Sequence, residues 1–214
     1  MVEVVPQARF KHLFLQDTPF IDVRAEVEFS SGSFPGAVNL PILTSAERHD
    51  VGTCYKQRGQ AAAIELGHQL VGGEVRAART RAWCDFASQH PGALAYCWRG
   101  GMRSGLATEW MAAAGTDVPL IEGGYKALRR YLMGVTESVA AALPLVVIGG
   151  RTGVAKTPLV RALPTGVDLE HHANHRGSSF GRRVSPPPCQ VDFEHRLAID
   201  LLRRSELRQQ GPLF

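Results

Sequence analysis

The residues best suited to chemistry in this sequence surround Cys97. The segment around it reads Tyr96-Cys97-Trp98-Arg99-Gly100-Gly101-Met102-Arg103-Ser104. An apolar run over residues 93–96 predicts a short buried strand, and a helical pattern covers residues 104–114. In a strand–loop–helix arrangement, backbone N–H groups, the helix N-terminus and nearby arginines all lower the pKa of a thiol. We therefore predict that Cys97 is a nucleophile; the alternative is a buried structural thiol.

The same loop is predicted to bind an oxyanion, such as thiosulfate, phosphate or selenophosphate. We expect Arg103 to bind the anion through two hydrogen bonds and Arg99 to add positive charge, with a plain surface position as the alternative for Arg99. Glycine beside these arginines lets backbone N–H groups turn inward. The candidate catalytic residues are Cys97, Arg103 and Arg99, and the candidate anion-binding residues are Gly100, Gly101, Met102 and Ser104. Ser104 has an equally good alternative role as the cap of the following helix.

A second candidate site lies in the glycine-rich segment 149–157. It follows an apolar run over residues 145–148, which predicts a strand, and it ends in Lys156 and Thr157. This layout is typical of a phosphate-binding loop, in which the lysine contacts phosphate oxygens and the threonine binds a magnesium ion. The candidate phosphate-binding residues are Gly150, Gly153, Lys156 and Thr157.

The match to a phosphate-binding loop is incomplete at Ala155. The pattern has glycine before the lysine because the backbone approaches the phosphates there, often in a conformation that is costly for a residue with a Cβ. The sequence also shows no acidic partner for a magnesium ion. Two alternatives stay open: a phosphate site that can hold magnesium, and a turn of the same shape that binds nothing well.

The other cysteines and the histidines show no metal-binding pattern. Their spacing along the chain fits neither a zinc site nor a disulfide framework. The residues concerned are Cys54, Cys84, Cys189, His171, His172 and His175. We predict no metal centre among them and no tightly bound cofactor. Cys54 is a weaker candidate for resolving a sulfur adduct on Cys97. The pairs His175-Arg176 and Arg182-Arg183 are interpreted as a contact surface for RNA or diphosphate, with a solvated basic face as the alternative.

Short strands alternate with helices along the first two thirds of the chain. Strands are predicted near residues 19–24, 36–41, 93–96 and 118–121, and helices over 4–15, 26–30, most of 45–90, 104–114 and 125–142. This alternation indicates an α/β domain with a mainly parallel sheet, in which ligands bind at the carboxyl ends of strands. A boundary is predicted near Leu143-Pro144, which separates a domain over 1–142 from a partial domain over 143–214.

Composition and charge place the chain among globular proteins. Of its 214 residues, 44% are hydrophobic and 21% are charged, as is usual for a globular domain. No export signal and no membrane-spanning apolar run are visible, so we expect a cytoplasmic protein with free thiols and no membrane partner. Acidic and basic residues balance over 1–150, so the whole excess of +4 lies in residues 151–214. That asymmetry is compatible with an anionic ligand or RNA there.

Together these motifs resemble those of the tRNA 2-selenouridine synthases, in which a rhodanese-like domain is fused to a P-loop domain. The rhodanese part of the resemblance is carried by residues 21–24, Glu28-Phe29, Gly32, 35–41 and 97–104. More specific to the family are residues 51–57, 122–129, Leu169-Glu170 and 175–181. The resemblance runs along nearly the whole chain.

The resemblance implies an enzyme that acts on 2-thiouridine at the wobble position of tRNA. It implies that selenium from selenophosphate replaces the sulfur, through a geranylated intermediate made from geranyl diphosphate. It ties Cys97 to the selenium step, as the carrier of a perselenide or persulfide. Members of the family continue past residue 214, so the P-loop domain is expected to be shortened.

Two alternative functions stay open beside this one. The rhodanese half could act as a stand-alone sulfurtransferase, since its motifs are complete. The chain could also be a non-catalytic or decayed tRNA-binding fragment, for which the altered phosphate loop is the supporting feature. A Cys-x5-Arg loop occurs in phosphatases as well, but the remainder of the sequence lacks that resemblance.

Overall fold

Two units make up the part of the chain that the computed structural model describes, residues 2–178, 180–207 and 212–213. The first contains residues up to 31 together with 36–128, and the second contains 32–35 together with 129–214. The division after Leu128 falls inside a long helix, Gly124–Ala142, whereas the sequence pattern suggested a boundary at the end of that helix.

A five-stranded parallel sheet forms the centre of the first unit, in the order β1-β5-β4-β2-β3. The strands are β1 (Val4–Val5), β2 (Phe20–Asp22), β3 (Ala37–Asn39), β4 (Leu94–Tyr96) and β5 (Leu120–Ile121). Strand β4 lies in the middle, and it pairs with β2 on one side and with β5 on the other. The predicted α/β class with a mainly parallel sheet is confirmed.

Six helices accompany these strands. They are α1 (Phe10–Leu15), α2 (Glu26–Ser30), α3 (Ser45–Leu70), α4 (Gly73–Gln89), α5 (Met102–Ala113) and α6 (Gly124–Ala142), with a short 3-10 helix at Gln7–Arg9. Helix α3 begins at a capping box, in which Thr44 and Glu47 satisfy each other's backbone N–H groups. It runs through Gly52 and kinks at Gly59, where φ is 84°.

The prediction of a helix from residue 4 was wrong. Val4 and Val5 instead pair in parallel with Leu120 and Ile121 at the edge of the sheet. β-Branched side chains suit the extended conformation of a strand. The partner strand is more than 100 residues away along the chain, so the local sequence pattern does not reveal the pairing.

An ion pair is completely buried at the end of β2. Arg24 donates to Asp22 through Nε at 2.9 Å and through Nη2 at 2.6 Å, and neither side chain is exposed. The guanidinium carbon also lies 3.8 Å from the centre of the Tyr125 ring. Removing one partner of such a pair typically costs about 3–5 kcal/mol, because the other charge is left buried. Asp22 and Arg24 thus form a structural ion pair where β2 ends.

Two glycine turns pack backbone against backbone beside this pair. Gly100 lies in the loop between β4 and α5, and an added Cβ there would lie 2.8 Å from the Ile121 carbonyl oxygen and 3.0 Å from the Gly123 nitrogen. Gly124 begins α6 with φ at 58°, and its Cβ would collide with the Cys97 carbonyl oxygen and the Gly100 nitrogen. Both positions therefore require glycine.

The second unit contains the C-terminal part of α6 with three further helices. These are α7 (Lys156–Ala162), α8 (Leu169–His172) and α9 (Gln190–Leu207). The buried face of α9 includes Ala198, Ile199, Leu201 and Leu202, and Leu201 lines the same apolar cavity as Leu145 and Ile148. Helix α9 thus packs as part of a folded unit.

The strand predicted over residues 145–148 is reduced to a single bridge. Leu145 pairs with Leu213 in parallel, and Val147 is 91% exposed. Among the described residues no other strand lies alongside this segment, and an extended segment becomes a sheet strand only where a neighbour satisfies its backbone groups.

A buried histidine joins α9 to the loop 32–35. The Nδ1 of His195 donates to the Ser33 carbonyl oxygen at 2.7 Å, and its ring stacks on Phe34 at 4.4 Å. Burial, together with the charge of Arg129, lowers the pKa of His195 to about 4. The imidazole is therefore neutral near pH 7, and its Nε2 accepts a hydrogen bond from Arg129 at 3.3 Å.

The first prediction concerns Gly124. We expect Gly124→Ala to lower the free energy of unfolding of the first unit by about 1–3 kcal/mol from the left-handed backbone conformation alone. Tryptophan fluorescence in a urea titration measures this, because Trp83, Trp98 and Trp110 all lie in that unit.

The matched control is Gly105→Ala in α5, where an added Cβ meets nothing within 4 Å. That change should raise stability by about 0.5–1 kcal/mol, as is usual for glycine to alanine inside a helix. Equal effects of the two substitutions would contradict the packing described for Gly124.

Candidate active site

Cys97 directly follows β4, at the carboxyl end of the central strand. Its side chain is only 3% exposed. The Ser104 hydroxyl lies 3.1 Å from Cys97 Sγ and 3.2 Å from the Gly101 carbonyl oxygen, so it can donate to either. The thiol itself can donate to Gly101 O across 3.9 Å. The site thus offers an acceptor to the thiol and a donor to the thiolate.

The surroundings of Cys97 favour the thiolate. Burial by itself would raise the pKa of the thiol. Hydrogen bonds from the hydroxyl and backbone N–H of Ser104, the positive charge of Arg103 and the backbone N–H of Arg99 outweigh burial, so the pKa of Cys97 lies below its ordinary value. The predicted activation of Cys97 therefore has a physical basis in named contacts.

The first turn of α6 orients the Cys97 loop. The Tyr125 N–H donates to the Cys97 carbonyl oxygen at 2.9 Å, and the Lys126 N–H donates to the Trp98 carbonyl oxygen at 3.0 Å. These two carbonyl oxygens accept hydrogen bonds from α6, while backbone N–H groups of the same loop donate to the Cys97 sulfur. Trp98 also stacks on Tyr125, with 5.3 Å between ring centres.

The guanidinium of Arg103 is already paired. It donates to both carboxylate oxygens of Glu28, at 2.6 Å and 3.2 Å, and Glu28 also binds Arg48 at 3.0 Å. We expected the two guanidinium N–H groups of Arg103 to bind an anionic ligand. In the structure they bind the carboxylate of Glu28 instead. Arg103 acts on the sulfur through its charge, and an incoming anion must compete with Glu28 for it.

The other predicted loop residues lie on the surface side of the site. Arg99, Gly101 and Met102 are exposed, and the Arg99 side chain makes no hydrogen bond or ion pair with any described residue. Ser104 is buried and contacts the sulfur directly. Cys54 is buried within α3, and all four cysteines are free thiols.

Sequence reasoning missed Glu28 as the partner of Arg103. The two residues are 75 positions apart, and only the fold brings them together. The signal that could have found it is the Glu28-Phe29 motif, which follows β2 just as Cys97 follows β4, at the same edge of a parallel sheet.

The second candidate site is a glycine-rich loop with its lysine folded back. Lys156 Nζ donates to the carbonyl oxygens of Gly150 and Arg151, both at 2.8 Å. Ala155 adopts the left-handed conformation, with φ at 61° and ψ at 30°, in the position where the phosphate-loop pattern has glycine. The residue before Lys156 therefore has a conformation that suits glycine and strains alanine.

An acidic residue that the sequence did not reveal lies beside this loop. Thr157 Oγ1 donates to Glu170 Oε2 at 3.1 Å. A hydroxyl and a carboxylate oxygen are the hard donors that Mg²⁺ prefers, so these two residues fit a magnesium ion bound with phosphate. When bound, such an ion would neutralise phosphate charge. Among the described residues no group of three His, Cys, Asp or Glu converges on one point.

Comparisons with known proteins agree with this geometry. Residues 7–130 match the rhodanese-like domain, and residues 143–214 match the AAA domain of tRNA 2-selenouridine synthase. Because the first match covers more than half of the chain, the chain belongs to the rhodanese-like family. The second match shows that the remaining part is similar to the tRNA 2-selenouridine synthases.

Two curated relatives carry that enzyme's name. The one from Azotobacter vinelandii is 53% identical over 92% of this chain and 54% of its own length. The one from Verminephrobacter eiseniae is 54% identical over the same shares. The chain thus spans about half the length of the curated relatives it matches.

A solved structure also matches, the N-terminal domain of a Clostridium difficile 630 protein named for ATP/GTP binding. It is 29% identical, with a TM-score of 0.50, over 62% of this chain and 99% of its own.

No helix among the described residues is long and apolar enough to cross a membrane.

The second prediction tests the thiolate. Ser104→Ala removes the hydroxyl that donates to Cys97 Sγ, so the pKa of Cys97 should rise and its alkylation by iodoacetamide should shift to higher pH. Peptide-resolved mass spectrometry measures the rate at Cys97 against pH. Thr108→Ala is the control, because its hydroxyl bonds only backbone carbonyl oxygens of the same helix. An unchanged pH profile for Ser104→Ala would contradict the assigned role of the hydroxyl.

The third prediction tests strain at Ala155. We expect Ala155→Gly to stabilise the second unit by about 0.5–1 kcal/mol, since relief of the left-handed conformation outweighs the added freedom of the unfolded chain. Hydrogen exchange of α7 measures the change. Ala141→Gly, at an exposed helical position of the same unit, should instead destabilise by about 0.5–1 kcal/mol. Loss of stability in both variants would show that Ala155 is unstrained.

Proposed function

We propose that this chain takes part in converting wobble 2-thiouridine of tRNA to 2-selenouridine, in the cytoplasm. In the first step the thiouridine sulfur attacks C1 of geranyl diphosphate, the C1–O bond breaks, and diphosphate leaves with the electron pair. In the second step selenium bonds to C2 of the base and geranyl thiolate leaves with the electrons of the C2–S bond. The selenium comes from selenophosphate, whose phosphoryl group passes to water and forms phosphate.

The observation that carries the proposal is the Cys97 loop. It joins a thiol of lowered pKa to a buried hydroxyl donor, inward backbone N–H groups and the charge of Arg103. Such a site stabilises an anion at the sulfur position. We assign Cys97 to the selenium step, in which its loop holds selenium between release from selenophosphate and transfer to C2.

The second unit supports binding of phosphate groups and RNA. Lys156, Thr157 and Glu170 offer a cation, a hydroxyl and a carboxylate at one loop. Further along, an isolated bridge joins His175 to Arg182. Arg176, Arg182 and Arg183 are exposed, and Phe180 is 96% exposed. Arginines bind the RNA backbone, and an exposed aromatic ring can stack on a base.

A second candidate function is a sulfurtransferase. It is favoured by the position of Cys97, Ser104, Arg103 and Glu28 wholly within the first unit. The Cys97 thiolate would attack the outer sulfur of thiosulfate, form a persulfide, and release sulfite with the electron pair. Cyanide would then take the sulfur as thiocyanate.

The fourth prediction decides between these functions. The chain is incubated with thiolated tRNA, geranyl diphosphate and selenophosphate, and the nucleosides are analysed by mass spectrometry. We expect geranylated thiouridine and then selenouridine with the native chain. With Cys97→Ser we expect the geranylated nucleoside to accumulate, because the selenium step is lost.

A parallel thiosulfate–cyanide assay completes the test. Thiocyanate formation that depends on Cys97, without any modified nucleoside, would replace the first function by the second. Salt-dependent tRNA binding with no product in either assay would leave an RNA-binding role alone.

A further inference from the structure

A large cavity lies in the first unit beside the helix that follows the Cys97 loop. Its volume is about 700 Å³, within the range of about 300–1,000 Å³ found for small-molecule sites. Its walls are formed mainly by apolar side chains from the segment after β3 and from α3 and α5. They include Ile42, Leu43, Ile64, Val71, Leu106 and Trp110.

The cavity exists because few side chains of α3 pack against the neighbouring elements. Of the 26 residues of this helix, only Cys54 and Ala63 are buried. Small residues line the wall where larger ones would close it, among them Ala63 and Gly67, and the kink at Gly59 redirects the helix. Protein interiors are ordinarily close-packed, so an opening of this size between helices leaves room for a ligand.

The charged side chains around the cavity are all basic. Arg48, Lys56 and Arg103 line it together with His49 and His68, and none of the described lining residues is acidic. Glu28 already binds Arg48 and Arg103. Lys56 is exposed and makes no hydrogen bond or ion pair with any described residue, so its charge is available to a ligand. An apolar interior with a cationic rim fits a ligand that has an apolar chain and an anionic head.

The cavity reaches the residues that form the Cys97 loop. Met102 and Arg103 line it, and Ser104, the next residue of α5, bonds to Cys97 Sγ. A ligand at this end of the cavity therefore lies close to the helix turn whose Ser104 bonds to the nucleophile.

We propose that this cavity binds a prenyl diphosphate, with the isoprenoid chain between α3 and α5 and the diphosphate at Lys56. The inference rests on the proposed function, which needs geranyl diphosphate, and deepens it by assigning the chain to the rhodanese-like unit. The glycine-rich loop of the second unit then serves other phosphate groups.

The fifth prediction is a binding measurement by calorimetry with geranyl thiolodiphosphate, an analogue that resists loss of diphosphate. Ala63→Phe fills the cavity and should weaken binding at least about tenfold, since burial of the chain supplies most of the affinity. Lys56→Glu should also weaken binding about tenfold or more, by placing a negative charge beside the head group. Arg81→Glu makes the same charge reversal at an exposed position outside the cavity, and should leave binding unchanged.

Chain length provides a test that does not depend on folding of a variant. Dimethylallyl thiolodiphosphate, with its shorter chain, should bind about tenfold or more weakly, and inorganic diphosphate weaker still. Circular dichroism and tryptophan fluorescence check that Ala63→Phe keeps the native fold. Equal binding of inorganic diphosphate and the geranyl analogue would overturn the proposal, because the cavity would then contribute nothing.

The measurement separates this inference from the proposed function. Binding requires no turnover, so a chain that makes no selenouridine can still confirm the cavity. If Lys156→Ala abolishes geranyl binding while Ala63→Phe and Lys56→Glu have no effect, the ligand sits at the glycine-rich loop. That result would overturn the inference and leave the proposed function standing.

Discussion

The chemistry of the first unit depends on two hydrogen bonds from the start of α6 to the Cys97 loop. Tyr125 and Lys126 bind the carbonyl oxygens of Cys97 and Trp98, and Gly124 allows the two backbones to touch. With its carbonyl oxygens held there, the loop offers N–H groups to the sulfur. The buried pair of Asp22 and Arg24 lies against Tyr125, so sheet, loop and helix are joined at one point.

Both candidate anion sites hold their cations on internal acceptors. Arg103 binds the carboxylate of Glu28, and Lys156 binds backbone carbonyl oxygens of its own loop. The two sites differ in the strength of the hydrogen bonds that an incoming anion must replace. A hydrogen bond from a cation to a carboxylate is stronger than one to a neutral carbonyl oxygen. Glu28 thus restrains Arg103, whereas Lys156 is free to turn to a phosphate at small cost.

Lowered pKa at Cys97 is a balance of opposing effects. Burial disfavours the thiolate, and the donors around the sulfur favour it more strongly. A buried thiolate reacts only with groups that the loop admits, so burial contributes selectivity while the hydrogen bonds contribute reactivity. Ser104 of α5 bonds to the Cys97 sulfur, and Leu106 and Trp110 of the same helix line the apolar cavity. One helix therefore contributes to both sites.

The sequence by itself determined the parallel α/β class, the position of Cys97 after a short buried strand, and the glycine-rich loop ending in Lys156 and Thr157. These depend on local patterns: short apolar runs, glycine turns and helical periodicity. The tertiary structure decided what those patterns do not contain. It paired Arg103 with Glu28, placed Glu170 beside Thr157, paired Val4 and Val5 with β5, and left the cavity beneath α3. Each joins segments that are distant along the chain or depends on how well helices fill the space between them, and no local spacing encodes either.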